Sequence, residues 1–241
     1  MNRLLIALLL LPTLAWAGPE INIGALHDYF EGDKSTLLKR VRNSGDTTAF
    51  VKVSVSELIY DTGGAPREVP MDGLPADQRA LVASPARLIV PAGGLQAVRL
   101  LYRGERERER YFRLRFIPVL PEAGDGFAVS EAEAEQYEKA LKAGVNILAG
   151  YGSLAFVKPA ATRYGTDVQQ EQGRFVVVNK GNATVVLDHF SDCDRSGTSC
   201  ETATVHHLLP GTERAFEKRS GRSYRFNLLE SKGSRTYEFN G

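Results

Sequence analysis

Three histidines and two cysteines gather near the C-terminus: His189, Cys193, Cys200, His206 and His207. These residue types bind zinc or supply reactive thiols. Their spacing matches no zinc pattern, because His206 and His207 are adjacent and would point to opposite faces of a strand. The other chemistry open to the cysteines is a disulfide. Between them lies Asp194-Arg195-Ser196-Gly197-Thr198-Ser199, a turn-rich loop that lets two strand ends approach. Closing so short a loop contributes roughly 2–3 kcal/mol. Carboxylates are plentiful but scattered, and no G-x-S-x-G, H-E-x-x-H, P-loop or kinase set is present. Gly150-Tyr151-Gly152 looks like part of a phosphate loop, but a strand pattern follows it where a helix is needed. The expectation is a protein that is not an enzyme, with no metal site and no cofactor.

The compartment supports the disulfide. Asn2-Arg3, the apolar run Leu4 to Leu11 and Ala15-Trp16-Ala17 have the form of a cleavable export signal over residues 1–17. The run is too short to anchor in a bilayer of about 30 Å. No cysteine follows the cleavage site, so lipidation is not expected. Export places Cys193 and Cys200 where thiols oxidise. The whole chain of 241 residues has 30 Lys and Arg against 29 Asp and Glu. Arg3 is the only charge in the signal, so the mature chain balances at 29 of each. A balanced chain argues against binding nucleic acid or inserting into an anionic membrane.

The elements are mainly strands. Thr48 to Ile59 alternates Ala49, Val51, Val53 and Val55 with Phe50, Lys52, Ser54 and Ser56, the pattern of a half-buried strand. Leu88 to Val90 and Gln96 to Tyr102 flank Pro91-Ala92-Gly93-Gly94, and Tyr111 to Val119 sets Phe112, Leu114 and Phe116 against Arg113 and Arg115. Arg174 to Val178 and Ala183 to Phe190 flank Asn179-Lys180-Gly181-Asn182, a hairpin signal. Tyr224 to Leu229 and Thr236 to Phe239 close the chain. Many short strands with frequent turns predict antiparallel sandwiches. One helix is predicted over 131–143, with Ser130-Glu131-Ala132-Glu133 as its capping box and Gly144 as its terminator. Arg103 to Arg110 alternates in charge and reads as a solvated loop or edge. Lys158-Pro159-Ala160-Ala161 is the best boundary, giving domains 18–158 and 159–241.

Two stretches carry a family pattern. Ser84-Pro85-Ala86-Arg87-Leu88-Ile89-Val90-Pro91-Ala92-Gly93-Gly94 leads into Gln96-Ala97-Val98-Arg99-Leu100. Glu109-Arg110-Tyr111-Phe112 then runs on to Ile117-Pro118. This order resembles the first domain of the PapD-like periplasmic pilus chaperones. The resemblance continues through Val145 to Pro159, which looks like the family's subunit-holding strand and elbow. It covers essentially the whole mature chain. It implies an all-β fold of two immunoglobulin-like β-sandwich domains in an L-shaped arrangement, with the 131–143 helix inserted where the family has a loop.

The resemblance also implies a function and partners. Pilus subunits of this kind lack a strand and expose an apolar groove with unpaired backbone groups, an aggregation hazard. A chaperone lends a strand of its own, a form of β-augmentation. Val145, Ile147, Ala149 and Tyr151 have the two-residue spacing that such a strand needs. The implied partners are pilus subunits and an outer-membrane usher, in the periplasm. Two basic residues hold the subunit's terminal carboxylate in the better-known branch, but Ala25 and Leu154 fall at those positions here. That departure points to a divergent, alternative branch, and Lys39 and Arg115 are the candidate replacements. Lys158 matches a basic position that joins an interdomain salt bridge in the family, with Glu230 as its candidate partner. The competing expectation is a pilus or surface-adhesion subunit with similar domains. Ile21 begins four residues after the cleavage point, which leaves little chain for a subunit's own donor extension.

Overall fold

Two layers form in each half of the chain, and burial alternates along strands such as Thr36–Asn43 and Arg110–Pro118. The structure, a computed structural model, describes residues 18–60, 65–122, 124–142, 147–231 and 233–241. The expected export signal, Val145, Gly144 and the last residue of the expected helix lie outside the described residues.

The first half contains β1 (Ile21–Asn22), β2 (His27–Phe30), β3 (Thr36–Asn43), β4 (Ala49–Ile59), β5 (Arg67–Pro70), β6 (Leu81–Ser84), β7 (Arg87–Val90), β8 (Leu95–Tyr102), β9 (Arg110–Pro118), α1 (Glu131–Lys142) and β10 (Tyr151–Val157). One sheet runs β1-β3-β8-β6; the other runs β2-β10-β9-β4-β5, with β7 also paired to β4. β4 turns Val51, Val53 and Val55 inward to meet Leu114 and Phe116 of β9 in one core. The second half contains β11 (Thr166–Glu171), β12 (Arg174–Asn179), β13 (Val185–Asp194), β14 (Thr204–Leu208), β15 (Glu213–Glu217), β16 (Arg222–Glu230) and β17 (Gly233–Asn240). They form a three-stranded sheet, β11-β12-β15, facing a four-stranded one, β14-β13-β16-β17. Between them Phe175 stacks on Phe239 and Phe216, with ring centroids 4.2 and 5.0 Å apart. The two cores share no residue: one draws on Ile21 to Val157, the other on Phe175 to Phe239.

The expected hairpin at Asn179 is corrected. β12 and β13 lie in different sheets, so the Asn179 turn carries the chain from one layer to the other. The side chain of Asn179 is fully buried and donates to the carbonyls of Ala183 and Leu208, both at 2.9 Å. Those bonds tie the strand end to the opposite layer. Asn43 does the same between β3 and β4, donating to Thr47 O at 2.7 Å and Val90 O at 3.0 Å. Glycine is required two residues later in each turn: a Cβ at Gly45 would sit 2.2 Å from Gly18 O, and one at Gly181 2.6 Å from Arg163 O.

The helix begins as its capping box dictates. Glu133 N–H donates to Ser130 Oγ at 3.3 Å, and Ser130 N–H donates to Glu133 Oε2 at 2.8 Å. Its inner side packs on the sandwich. Tyr137 donates to Thr48 O at 2.6 Å, and Phe50 meets Tyr137 and Phe127 edge-on at 4.9 and 5.4 Å. Phe50 therefore points outward as the alternation predicts, yet the insertion buries it.

Candidate functional site

β10 is sandwiched between unequal neighbours. β9 pairs antiparallel with all of it, from Tyr151 opposite Phe116 to Val157 opposite Arg110. β2 pairs in parallel with Leu154 to Val157 alone. Tyr151 to Ser153 therefore have an open edge on that side, and residues 147–150 run ahead of the strand without ladder partners among the described residues. Residues two apart share a face. Ser153, Ala155 and Val157 fill this molecule's own sandwich. Tyr151, at the start of the strand, is 37% exposed, and ahead of it Ala149 is exposed and Ile147 is 81% exposed. A leading segment with an apolar face and unpaired backbone can complete a sheet in another protein.

The candidate anchors sit on different faces and each already holds a carboxylate. Lys39 projects from β3 into the interior, is 3% exposed, and bonds Asp28 Oδ2 at 2.8 Å as well as the Ala25 carbonyl. Ser153 of β10 donates to the same Asp28 oxygen at 3.4 Å. This links β3, β2 and β10 beside the open edge. Arg115 lies on the outer face of β9, where it and Arg113 share Glu68. The hydrogen bond from Arg115 draws the Glu68 carboxyl down to about 2. A subunit carboxylate would have to share Lys39 with Asp28 or Arg115 with Glu68.

The expected bridge between Lys158 and Glu230 is corrected. Lys158 Nζ takes Glu31 Oε1 at 2.7 Å, across the first domain's own loop, whereas Glu230 pairs with Arg235 within its β16–β17 hairpin. Shorter routes win for both charges. Different residues join the domains. Glu109, 7% exposed, accepts from Thr184 N–H at 2.8 Å, Thr184 Oγ1–H at 2.6 Å and Tyr111 O–H at 2.8 Å. Burial pushes its carboxyl up. Tyr29 O–H bonds His207 Nε2 at 2.6 Å, and the His207 ring stacks on Phe156 at 5.2 Å and lies tilted against His27 at 4.2 Å. Burial, then the neighbouring His27 and His206, brings His207 down to about 4, so the Tyr29 hydroxyl donates to a neutral ring. Arg106 braces the elbow by donating to the carbonyls of Glu31 and Lys158, both at 3.0 Å.

The alternating-charge run is corrected by the same contacts. Arg106, Glu109 and Arg110, the last forked onto Glu57 at 2.7 Å through two nitrogens, are structural. Nothing in a run of alternating signs distinguishes a buried glutamate from a solvated one. His207 had a weak signal in the adjacent histidines, which here serve packing: His206 meets Phe190 edge-on at 5.1 Å. Cys193 and Cys200 are bonded to each other, with Cα atoms 3.9 Å apart, so neither thiol is available to a metal.

Beside this joint an open cleft of about 1110 Å3 separates the two sandwiches, with Tyr60 and Tyr111 on one wall and Leu209 and Pro210 on the other. No family model matches the chain. EcpB of Escherichia coli O157:H7, named a probable fimbrial chaperone, is 26% identical over 220 residues, 90% of this chain and 89% of its own. The protein of that name from Klebsiella pneumoniae is 25% identical over 219 residues, 90% of each chain. The class 5 fimbriae chaperone CfaA shares the fold at TM-score 0.54 and 17% identity, over 91% of this chain and 98% of its own. A chain of the Salmonella enterica complex between SafA pilin and the SafB chaperone matches at 0.53 and 13%, over 92% and 96%. Along nine-tenths of its length the chain is thus similar in sequence to relatives named probable fimbrial chaperones, and it shares the fold of solved fimbrial chaperones.

Proposed function

We propose that this protein keeps pilus subunits folded by lending them the segment that leads into β10, with Val145, Ile147, Ala149 and Tyr151 as the inserted side chains. The observation that carries this is the open edge of β10 together with the exposed apolar side chains ahead of it, Ile147 being 81% exposed. In a monomer such an edge invites aggregation; in a chaperone it is the working part. Inserting Ile147, Ala149 and Tyr151 into a groove contributes roughly 3–6 kcal/mol, and the unpaired N–H and C=O groups gain partners. The first domain, 18–158, would bear the strand, and the second, 159–241, would form the far wall of the cleft. The chaperone would act in the periplasm and hand its subunit to an outer-membrane usher, where another subunit's extension replaces the lent strand.

Ile147→Asp tests this. The substitution falls on an exposed side chain, so the chaperone keeps its fold and melting temperature while recovery of soluble subunit from the periplasm collapses. Normal subunit recovery with this variant overturns the assigned face.

A further inference from the structure

The arginines of the two sheets in the first domain are treated in opposite ways. On the six-stranded sheet Arg110, Arg113 and Arg115 all meet Glu57 or Glu68. On the outer face of the four-stranded sheet Arg40, Arg42 and Arg99 are exposed, and none of them forms an ion pair among the described residues. Arg40 and Arg42 lie two apart on β3, and Arg99 stands diagonally across from Arg40, because β3 pairs with β8 in the register Leu38 to Arg99, Arg40 to Ala97 and Arg42 to Leu95. Diagonal neighbours in a sheet are about 7–8 Å apart, so three like charges repel one another with no carboxylate between them. Interleaved with them are Leu38 and Leu95, 49% and 51% exposed. A shallow pocket of about 350 Å3 opens at the β1 end of this face, lined by Leu38, Arg40, Arg42 and Leu95 and by Asp28, whose carboxylate is already paired with Lys39. Among the described residues the α-helix α1 packs on Phe50 of the other sheet.

We propose that this face is a docking surface for a second protein, one whose own surface sets carboxylates around protruding apolar side chains. Charge complementarity selects the carboxylates: guanidinium groups pair with them bidentately, and a repulsive trio gains most from a neutralising partner. The half-exposed leucines and the pocket select the apolar side chains. A lipid surface fits poorly, since Trp and Tyr mark membrane interfaces and this face has no aromatic residue. A second copy also fits poorly. Its acidic helix carries Lys139 and Lys142, the latter already paired with Glu138, and head-to-tail contact would build open fibres. The three arginines belong to the sheet opposite β10.

The test uses the mature full-length chain and a fluorescent nine-residue peptide, Glu-Thr-Leu-Thr-Glu-Thr-Leu-Thr-Glu, whose one face alternates glutamate with leucine. The same peptide with lysine in place of glutamate is the control. Binding is followed by anisotropy, by its loss with added salt, and by amide shifts mapped onto β3 and β8. The acidic peptide is expected to bind and the lysine peptide not. R40Q/R42Q/R99Q, with an unchanged melting temperature, is expected to weaken binding at least about tenfold; Leu38→Ser and Leu95→Ser together are expected to weaken it about threefold. Equal binding by the arginine variant, or shifts that map elsewhere, overturns the proposal. So does binding of phosphatidylglycerol vesicles without the peptide, or a concentration-dependent dimer that the arginine variant abolishes.

Discussion

Acidification should loosen the joint between the domains through His207. Its imidazole falls from an ordinary 6.5 to about 4 in the folded chain, chiefly through burial. Around it stand His27, also lowered by burial, and Tyr29, which burial pushes up to about 12 and so keeps as a hydrogen-bond donor. A histidine depressed on folding leaves stability untouched well above pH 6.5 and costs stability as pH falls toward its folded value, because the unfolded chain binds the proton first. From pH 7 to pH 5 a shift of that size is worth about 1.8 kcal/mol; the ring's partial exposure brings this to about 1 kcal/mol. Protonation also turns the Nε2 acceptor of the Tyr29 bond into a donor. Urea melts followed by far-UV circular dichroism are the assay, since the only tryptophan, Trp16, precedes the first sandwich. The midpoint should fall by about 0.3–0.5 M between pH 7 and pH 5. His207→Gln should start lower and lose less than half as much over the same interval. An identical pH-dependent loss in His207→Gln would refute the assignment.

Four further outcomes are expected. Glu109→Ala removes the acceptor of two Thr184 bonds and should destabilise the joint by about 2–3 kcal/mol, seen as a second domain that melts earlier and exchanges amides faster around Thr184. Lys39→Ala leaves Asp28 buried without its cation and should cost about 3–5 kcal/mol, whereas Lys39→Met with Asp28→Leu should melt close to the parent. If that double variant also captures subunits normally, Lys39 is a strut and not an anchor. Arg115→Ala should change stability by less than about 1 kcal/mol, so any loss of subunit affinity in it reports on the partner's carboxylate. Cys193→Ser with Cys200→Ser opens a short loop and should lower second-domain stability by roughly 2.5 kcal/mol, with subunit capture by the first domain intact.

The parts legible in the sequence are those that depend on neighbours along the chain. Alternation placed β4 and β9 and their inward faces, the Ser130–Glu133 box placed the start of α1, and the turn between Cys193 and Cys200 placed the disulfide. What was hidden depends on neighbours in space. The Asn179 turn has the composition of a hairpin, and only its buried amide, bonded to Leu208, reveals a passage between layers. Glu109 has the same sequence surroundings as the exposed Glu107, and Thr184 on the second domain makes the difference. Lys158 and Glu230 are complementary in charge, yet Glu31 and Arg235 lie nearer. For the strand itself, the expected alternation from Val145 starts before the described residues, and the strand begins only at Tyr151; that β2 covers only the last four residues of β10 is a property of the assembled sheet.

The central claim is that residues 147–153 supply a strand to a partner. Hydrogen exchange of those backbone amides, with and without a bound pilus subunit, tests it most directly. The free protein should exchange quickly at 147–150, where no ladder partner holds them among the described residues; in the complex the outward-pointing amides there and at Tyr151 to Ser153 should slow by at least about a hundredfold, the protection of an interior strand. Protection confined to the second domain or to the outer sheet faces, with 147–153 exchanging as before, would contradict it.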